Sequence, residues 1–230
     1  VPADRFATPP PPAVATPARA AEPGPGAIHD AVAAADACQT MAELEAAIRA
    51  YDGCALKRTA THTVVYDGVL DGELMLVGEA PGAEEDRQGL PFVGPAGQML
   101  DRMLGSIGLS RTEETLITNV IFWRPPGNRP PTPDEIAHCL PFVERAVVLV
   151  QPSVLVFVGG IAAKAMMGRT EGITRLRGHW YKYQCRGLAA PINATAIFHP
   201  AYLLRQPAQK RETWRDLLGI RDKLYPLRKA

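Results

Sequence analysis

Four short apolar runs, each followed by a glycine, a proline or a polar turn, are the feature of this sequence that most restricts its fold. They occupy residues 73–78, 115–120, 154–158 and 194–198. Their apolar residues are continuous rather than alternating, which is typical of strands buried on both faces of a parallel sheet. Helical patterns lie between and after them, at about 96–108, 133–150, 160–168 and 209–224. This alternation predicts an α/β fold, a three-layer αβα domain with a four-stranded parallel sheet.

The composition divides the chain into a tail and one domain. Residues 1–27 are rich in Pro and Ala and have little to bury, which predicts a disordered tail. Residues 28–230 form the predicted domain and open with helix formers, where Thr40 and Glu43 have the spacing of a capping box. Hydrophobic residues make up 47% and charged residues 21% of the chain, which is a globular composition.

The charged residues are distributed unevenly. Residues 28–101 carry 13 acids and 4 bases, net −9, whereas residues 102–230 carry 9 acids and 19 bases, net +10. This polarity suggests a polyanionic partner, and a scatter of solvated surface charges explains it equally well.

The compartment follows from cysteine usage and hydropathy. Four cysteines are too few and too scattered for a disulfide scaffold, so we expect a reducing, cytoplasmic environment. No apolar run reaches the roughly 18 residues of a membrane span, so we expect no membrane partner.

Polar residues follow the predicted strands. Ligands bind outside the carboxyl ends of the strands in open α/β sheets, and this places four strand-end residues near one another. They are Glu79, Asn119, Gly159 and His199. Each is weak evidence alone, and their shared position predicts a site.

The stretch 78–97 holds five glycines and three prolines, which permit close approach to a ligand. It lacks the lysine of a nucleotide-binding P-loop. Its acids suit a general base or a fixed negative charge, although helix capping and loop solvation explain part of the set. These acids are Glu79, Glu84, Glu85 and Asp86. Phe92 is either a stacking surface for a planar ligand or a plug of the core.

Asn119 and the segment 199–205 each have a functional and a structural interpretation, and for the segment the structural one is a loop followed by a helix start. The Asn119 amide can read adjacent donor and acceptor groups such as N3–H and O4 of uracil, although Asn at a strand end is also a turn former. His199 can donate to a leaving group that gains negative charge. Leu203, Leu204 and Arg205 suit a wedge that enters a base stack beside a phosphate contact, or else the leucines belong to the core.

Six segments together resemble the uracil-DNA glycosylase superfamily, and most closely its family 4 branch. They are GEAPGAEED-x-QG-LPFVG (78–94), ITN (117–119), RPPGNRPPTPDE (124–135), VGG (158–160), TRLRGHWY (174–181) and HPAYLLR (199–205). The resemblance covers about 150 residues in the family's order. It implies a four-stranded parallel sheet and hydrolysis of the N-glycosidic bond of uracil that has been flipped out of DNA.

The resemblance also implies a role for each matching residue. Phe92 would stack on uracil, Asn119 would read its edge, Gly78 and Glu79 would lie beside the ring, and Glu79 would exclude the thymine methyl. Glu85 would be the catalytic carboxylate that orients water or stabilises the sugar cation, and His199 would contact O2 of the uracil. The DNA contacts would come from Leu203, Leu204, Arg205, Arg175 and Arg177.

The sequence departs from the family at the iron–sulfur site. Family 4 members usually hold a [4Fe–4S] cluster on four cysteines. Here Tyr51 and Trp123 occupy two of those positions, and only Cys54 and Cys139 remain. We predict no metal, no cluster and no other cofactor, with aromatic packing in the cluster's place.

The resulting hypothesis is a monomeric, monofunctional uracil-DNA glycosylase that acts on uracil-containing DNA and leaves an abasic site. No lysine occupies a motif position suited to Schiff-base chemistry. The alternative is a protein that binds uracil or abasic DNA with little turnover. A small-molecule or RNA-processing α/β hydrolase has no supporting nucleophile motif, since the chain contains no G-x-S-x-G.

Overall fold

The computed structural model describes residues 25–225, and a twisted sheet forms the centre of this part. The sheet has six strands among these residues, of which the four predicted ones are the longest. The strands are β1 Tyr66–Gly68, β2 Leu74–Gly78, β3 Thr115–Asn119, β4 Val154–Val158, β5 Tyr181–Tyr183 and β6 Ile192–Ile197.

The strand order is β1-β3-β2-β4-β6-β5. The four inner strands pair in parallel, whereas β1 and β5 pair antiparallel at the two edges. The predicted α/β fold is confirmed and the four predicted strands pair in parallel, but the complete sheet is mixed, because two short antiparallel edge strands extend it to six strands among the described residues. From β2 the chain passes to β3 on one side and then to β4 on the other, which creates a switch point at the carboxyl ends of these strands.

Helices cover both faces of the sheet. They are α1 Pro25–Ala37, α2 Met41–Ala50, α3 Ala83–Gln88, α4 Pro95–Gly105, α5 Pro133–Val150, α6 Gly160–Met167, α7 Ile173–Leu176, α8 Pro200–Arg205 and α9 Lys210–Leu224. In β2, Met75 and Val77 face a core shared with α1, α2, α5 and α6, whereas Leu74 and Leu76 face one shared with α4, α8 and α9. The alternation along the strand thus produces three layers. None of the helices within residues 25–225 has the length and apolar character of a membrane span.

The N-terminal helices begin close to the predicted boundary. Helix α1 begins at Pro25, inside the predicted tail, and the rest of that tail lies outside the described residues. The side chain of Thr40 caps α2 by accepting the Glu43 N–H, as predicted. The Glu43 carboxylate accepts the N–H of Gln39 rather than that of Thr40, so the second hydrogen bond of the capping box reaches one residue further back along the chain.

Candidate active site

A cavity of about 460 Å³ opens at the carboxyl ends of the parallel strands. It collects most of the residues that the sequence placed at a site. Its walls include Glu79, Gly82, Glu85, Phe92, Asn119, Pro125, Asn128, Arg129, His199, Tyr202 and Arg205. The predicted convergence of strand-end residues is therefore present in the structure.

The side-chain amide of Asn119 lies at the inner end of this cavity. Asn119 is 1% exposed, and its Oδ1 is buried without a hydrogen-bond partner in the described part of the chain. An unpaired buried acceptor costs about 1–3 kcal/mol, which marks it as a group that awaits a donor. Asn119 pairs with Gly78 across β3 and β2, and a Cβ at Gly78 would stand 2.4 Å from this Oδ1. Glycine is thus the residue that lets the amide fit.

Phe92 forms a second wall. It is buried and adopts a left-handed backbone conformation, with φ of 54°. Its ring lies 5.7 Å from the ring of His199, with 31° between the planes, and 2.5 Å from where a Gly78 Cβ would stand. A planar ligand that reaches Asn119 would meet this ring.

Arg111 holds the strained segment in place. Its guanidinium donates to the carbonyls of Pro91 at 2.9 Å and Phe92 at 2.6 Å. It also pairs with Asp67 at 2.8 Å and Asp101 at 2.9 Å. Sequence reasoning missed Arg111, because it lies outside every motif and contacts the site only through backbone.

Glu85 closes the same loop from the other side. One carboxylate oxygen accepts the N–H groups of Val93 at 3.0 Å and Gly94 at 2.8 Å, and the other accepts that of Gly82 at 3.1 Å. Glu85 therefore fixes the entrance to α4 and faces the cavity. A carboxylate held by three donors is well positioned to act at a defined point in space.

The remaining acids of the loop divide into two kinds. Asp86 accepts the N–H groups of Thr61 and His62, and Glu84 pairs with Arg87 on the surface, so both have structural partners. The Glu79 carboxylate lines the cavity and has no partner within residues 25–225. Burial raises the pKa of Glu79 above its usual value.

His199 begins α8 and faces the cavity opposite the acids. Its Nδ1 accepts the N–H of Ala201 at 3.2 Å, so in the neutral ring Nε2 carries the proton and can donate into the cavity. Burial lowers the pKa of His199 to about 4, with a smaller contribution from the Arg205 charge. Gly159 stands directly behind it, since a Cβ there would lie 3.1 Å from the Cβ of His199.

The RPPGNR segment supplies walls that sequence reasoning did not assign. Pro125, Asn128 and Arg129 line the cavity, and a bidentate ion pair of 2.6 and 2.9 Å joins Arg129 to Glu135 at the start of α5. The motif itself was visible in the sequence, but no single residue in it indicated which side chain would face the ligand.

The predicted DNA wedge is only partly on the surface. Leu203 is 0% exposed and belongs to the core beneath α8, so the structure does not support a DNA contact for it. Leu204 is 42% exposed, and Arg205 is exposed and lines the cavity. The prediction is therefore corrected to Leu204 and Arg205, because consecutive helical residues point in different directions.

Two arginines predicted to contact phosphate have different surroundings. Arg175 is exposed on α7, outside the cavity lining. Arg177 is largely buried and forms two hydrogen bonds to Asp216, of 2.8 and 2.6 Å. The structure commits Arg177 to this ion pair between α7 and α9, so its predicted role in DNA binding is not supported.

The region of the four family cysteines is filled by aromatic side chains. Trp123 is buried against Phe122 and donates from Nε1 to Thr63 at 3.0 Å. Burial raises the pKa of Tyr51 to about 12, so its hydroxyl keeps its proton, and it shares a hydrogen bond of 2.5 Å with Nδ1 of His138.

Only two thiols meet at that place. Cys139 is hydrogen-bonded to Cys54, which lowers the pKa of the Cys54 thiol, and both residues are buried. Cys38 lies elsewhere and donates to the carbonyl of Ala34. No group of three metal-ligating side chains exists among residues 25–225. A four-thiolate cluster therefore does not fit these residues.

The fold and this cavity define an α/β protein whose strand-end site combines an aromatic ring, a buried amide, two carboxylates and a histidine. Residues 66–218 match the uracil DNA glycosylase superfamily. A type-4 uracil-DNA glycosylase of Pyrobaculum aerophilum is 36% identical over 77% of this chain and 91% of its own length. The type-4 uracil-DNA glycosylase of Archaeoglobus fulgidus is 39% identical over 73% of this chain and 84% of its own length. That of Thermotoga maritima is 40% identical over 66% of this chain and 77% of its own length.

The chain therefore belongs to the uracil-DNA glycosylase superfamily. This membership makes it a DNA glycosylase, an enzyme that hydrolyses N-glycosidic bonds in DNA during base-excision repair.

The first prediction concerns Arg111. Arg111→Met leaves two carbonyls and two carboxylates without their donor, and we expect the free energy of unfolding to fall by about 2–3 kcal/mol. Arg87→Met removes an exposed pair from the same loop and should cost less than about 1 kcal/mol. Urea unfolding measures both, and equal losses would contradict the positioning role.

The second prediction concerns His199. Its folded pKa of about 4 lies below its unfolded value of about 6.5, so the unfolded chain binds the extra proton. The neutral His199 ring therefore contributes fully to the free energy of unfolding above pH 6.5, and this contribution is lost as the pH falls through 4. We expect wild type to lose about 2–3 kcal/mol more than His199→Gln between these limits. An NMR titration midpoint of the His199 ring above 6 would contradict this.

Proposed function

We propose that this chain is a uracil-DNA glycosylase that hydrolyses the bond between uracil and deoxyribose in DNA and leaves an abasic site. The observation that carries the proposal is the buried, unpartnered Oδ1 of Asn119 beside the Phe92 ring. The names of the type-4 relatives support the same substrate. The expected partner is uracil-containing DNA. We expect a monomer, because one chain supplies all the residues that line the cavity.

Base selection follows from the Asn119 amide. Its Oδ1 accepts the N3–H of uracil while its Nδ2 donates to O4. Cytosine presents an acceptor and a donor in the reverse order, so it would leave a buried mismatch. The Phe92 ring stacks on the base, and Glu79 lies beside it, where its side chain excludes the methyl group of thymine.

Access to the cavity requires that the nucleotide leave the duplex. The recognition groups lie at the inner end of a pocket that a stacked base does not reach, so the proposal includes base flipping. Arg205 lines the cavity, and the exposed Leu204 precedes it on α8. The leucine is suited to fill the space that the base vacates, and the guanidinium to contact a phosphate.

Bond cleavage uses His199 and Glu85. As the glycosidic bond breaks, negative charge develops on uracil O2, and the neutral Nε2–H of His199 donates to it. The Glu85 carboxylate stabilises the cationic sugar and accepts a proton from the water whose oxygen bonds to C1′. The products are a uracil anion and an abasic sugar. No lysine lines the cavity in the described chain, which supports hydrolysis by water rather than a Schiff base.

The proposed enzyme works without an iron–sulfur cluster. Tyr51 and Trp123 support this, because their rings pack where the family carries two of its cysteines, and each makes a hydrogen bond within the protein. The site chemistry also needs no electron transfer, since every step is a proton transfer or a bond heterolysis.

The third prediction tests this proposal with excision assays on oligonucleotides containing U, T, C or hypoxanthine, single- and double-stranded, in which alkali reveals abasic sites. We expect selective uracil release by wild type. Glu85→Gln and Asn119→Ala should each lose activity by about 100-fold or more, because each removes one transition-state or recognition contact.

The control is Glu84→Gln, whose carboxylate pairs with Arg87 on the surface rather than with the loop backbone. Tight binding of uracil-containing DNA without release of any base would favour the alternative, a binding protein with little turnover. Iron measured in the same preparation should be far below one atom per chain, and about four atoms with absorbance near 400 nm would overturn the proposal of a cluster-free enzyme.

A further inference from the structure

A second cavity, of about 540 Å³, lies between α4, α8 and α9. We refer to it as the α4–α9 groove. Its floor is apolar and includes the buried side chains of Met103 and Leu217. Leu204 and Trp214 form its walls and are 42% and 41% exposed. Large apolar side chains that are exposed together at one groove mark a binding surface more often than chance exposure.

The edge of the α4–α9 groove is basic. Arg102 of α4 and Lys210 of α9 line it, and neither forms an ion pair within the described part of the chain. Lys210, Trp214 and Leu217 recur at the spacing of one helical face, so the cation and the indole stand over the same apolar floor. An aromatic ring flanked by unpaired cations suits a ligand with flat rings and negative charges.

The groove and the active-site cavity lie on two faces of the same short helix. Leu203 and Leu204 of α8 line the groove, whereas Tyr202 and Arg205 line the cavity that contains Asn119 and His199. A DNA strand whose uracil occupies the cavity can therefore reach the groove by crossing the exposed side chains of Leu204 and Arg205. The position and the positive charge therefore favour nucleic acid over an acidic peptide as the occupant.

We propose that the α4–α9 groove binds the unpaired DNA strand next to the flipped uracil, with a base stacked on Trp214 and phosphates beside Lys210 and Arg102. This inference rests on the proposed function for the identity of the substrate. Stacking on an aromatic ring and phosphate contacts are independent of sequence, so the groove would add affinity without adding base specificity.

The fourth prediction uses single-stranded DNA of about 15 nucleotides with a central uracil, and a trinucleotide that reaches only the cavity. We expect Trp214→Ala to raise KM for the long substrate about tenfold, whereas its effect on kcat and on the trinucleotide stays within about twofold. Trp214→Phe should restore most of the affinity, because it keeps a stacking ring. Lys210→Gln should reduce the slope of log Kd against log salt concentration by about 0.7, because one phosphate contact on a single strand contributes about that much.

Trp180→Ala is the matched control, since Trp180 is similarly exposed and lies outside the groove. Trp214→Phe and Lys210→Gln carry the test if Trp214→Ala does not fold. The inference is wrong if these substitutions change KM for the long DNA and for the trinucleotide by the same factor. It is also wrong if the variants bind DNA as wild type does but lose affinity for an acidic peptide.

A direct binding measurement separates this inference from the proposed function. Fluorescence anisotropy with the same DNA carrying a stable abasic analogue reports the groove whether or not wild type releases uracil. An unchanged Kd in Trp214→Ala and Lys210→Gln overturns the groove. If wild type releases no uracil but Kd rises tenfold in these variants, the proposed enzyme activity is overturned and DNA binding by the groove is supported.

Discussion

The parallel pairing of Gly78 with Asn119 is the constraint on which the site depends. It brings the ends of β2 and β3 together at the switch point of the sheet and directs the amide into the cavity. Because Gly78 has no side chain, the amide and the Phe92 ring approach the same strand end from two sides. The unpaired Oδ1 is a cost to the empty protein that a bound ring with one N–H removes.

The loop that follows β2 is held by hydrogen bonds from two side chains. Phe92 has a positive φ, which is unfavourable for a residue with a side chain, and such strain persists only where the surroundings impose it. Glu85 binds the backbone on one side of it, and Arg111 binds the carbonyls of Pro91 and Phe92 on the other. The same carboxylate therefore fixes the loop that carries the Phe92 ring and lines the cavity, so in the proposed mechanism one residue serves both recognition and chemistry.

Sequence reasoning predicted the parts of this structure that have long or repeated signals. The predicted bounds of the four inner strands and of helices α5 and α9 agree with the structure within two residues, because continuous apolar runs mark the strands and helical spacing extends over 15 or more residues in the helices. Strands β1 and β5 were missed, since three residues carry no detectable period. The pair Leu203–Leu204 gave no indication of which leucine faces the core. The DNA contact predicted for Arg177 rests on the family resemblance, and the sequence gives no sign of its ion pair because its partner Asp216 lies 39 residues away.

Recognition of the uracil N3–H by the buried acceptor of Asn119 can be tested with the affinities of free bases. Calorimetry or NMR titration would compare uracil, 1-methyluracil, 3-methyluracil and cytosine. We expect uracil and 1-methyluracil to bind alike, whereas 3-methyluracil and cytosine bind at least about tenfold more weakly. Equal affinity for uracil and 3-methyluracil would contradict it, because the methyl group replaces the one hydrogen that Oδ1 is positioned to accept.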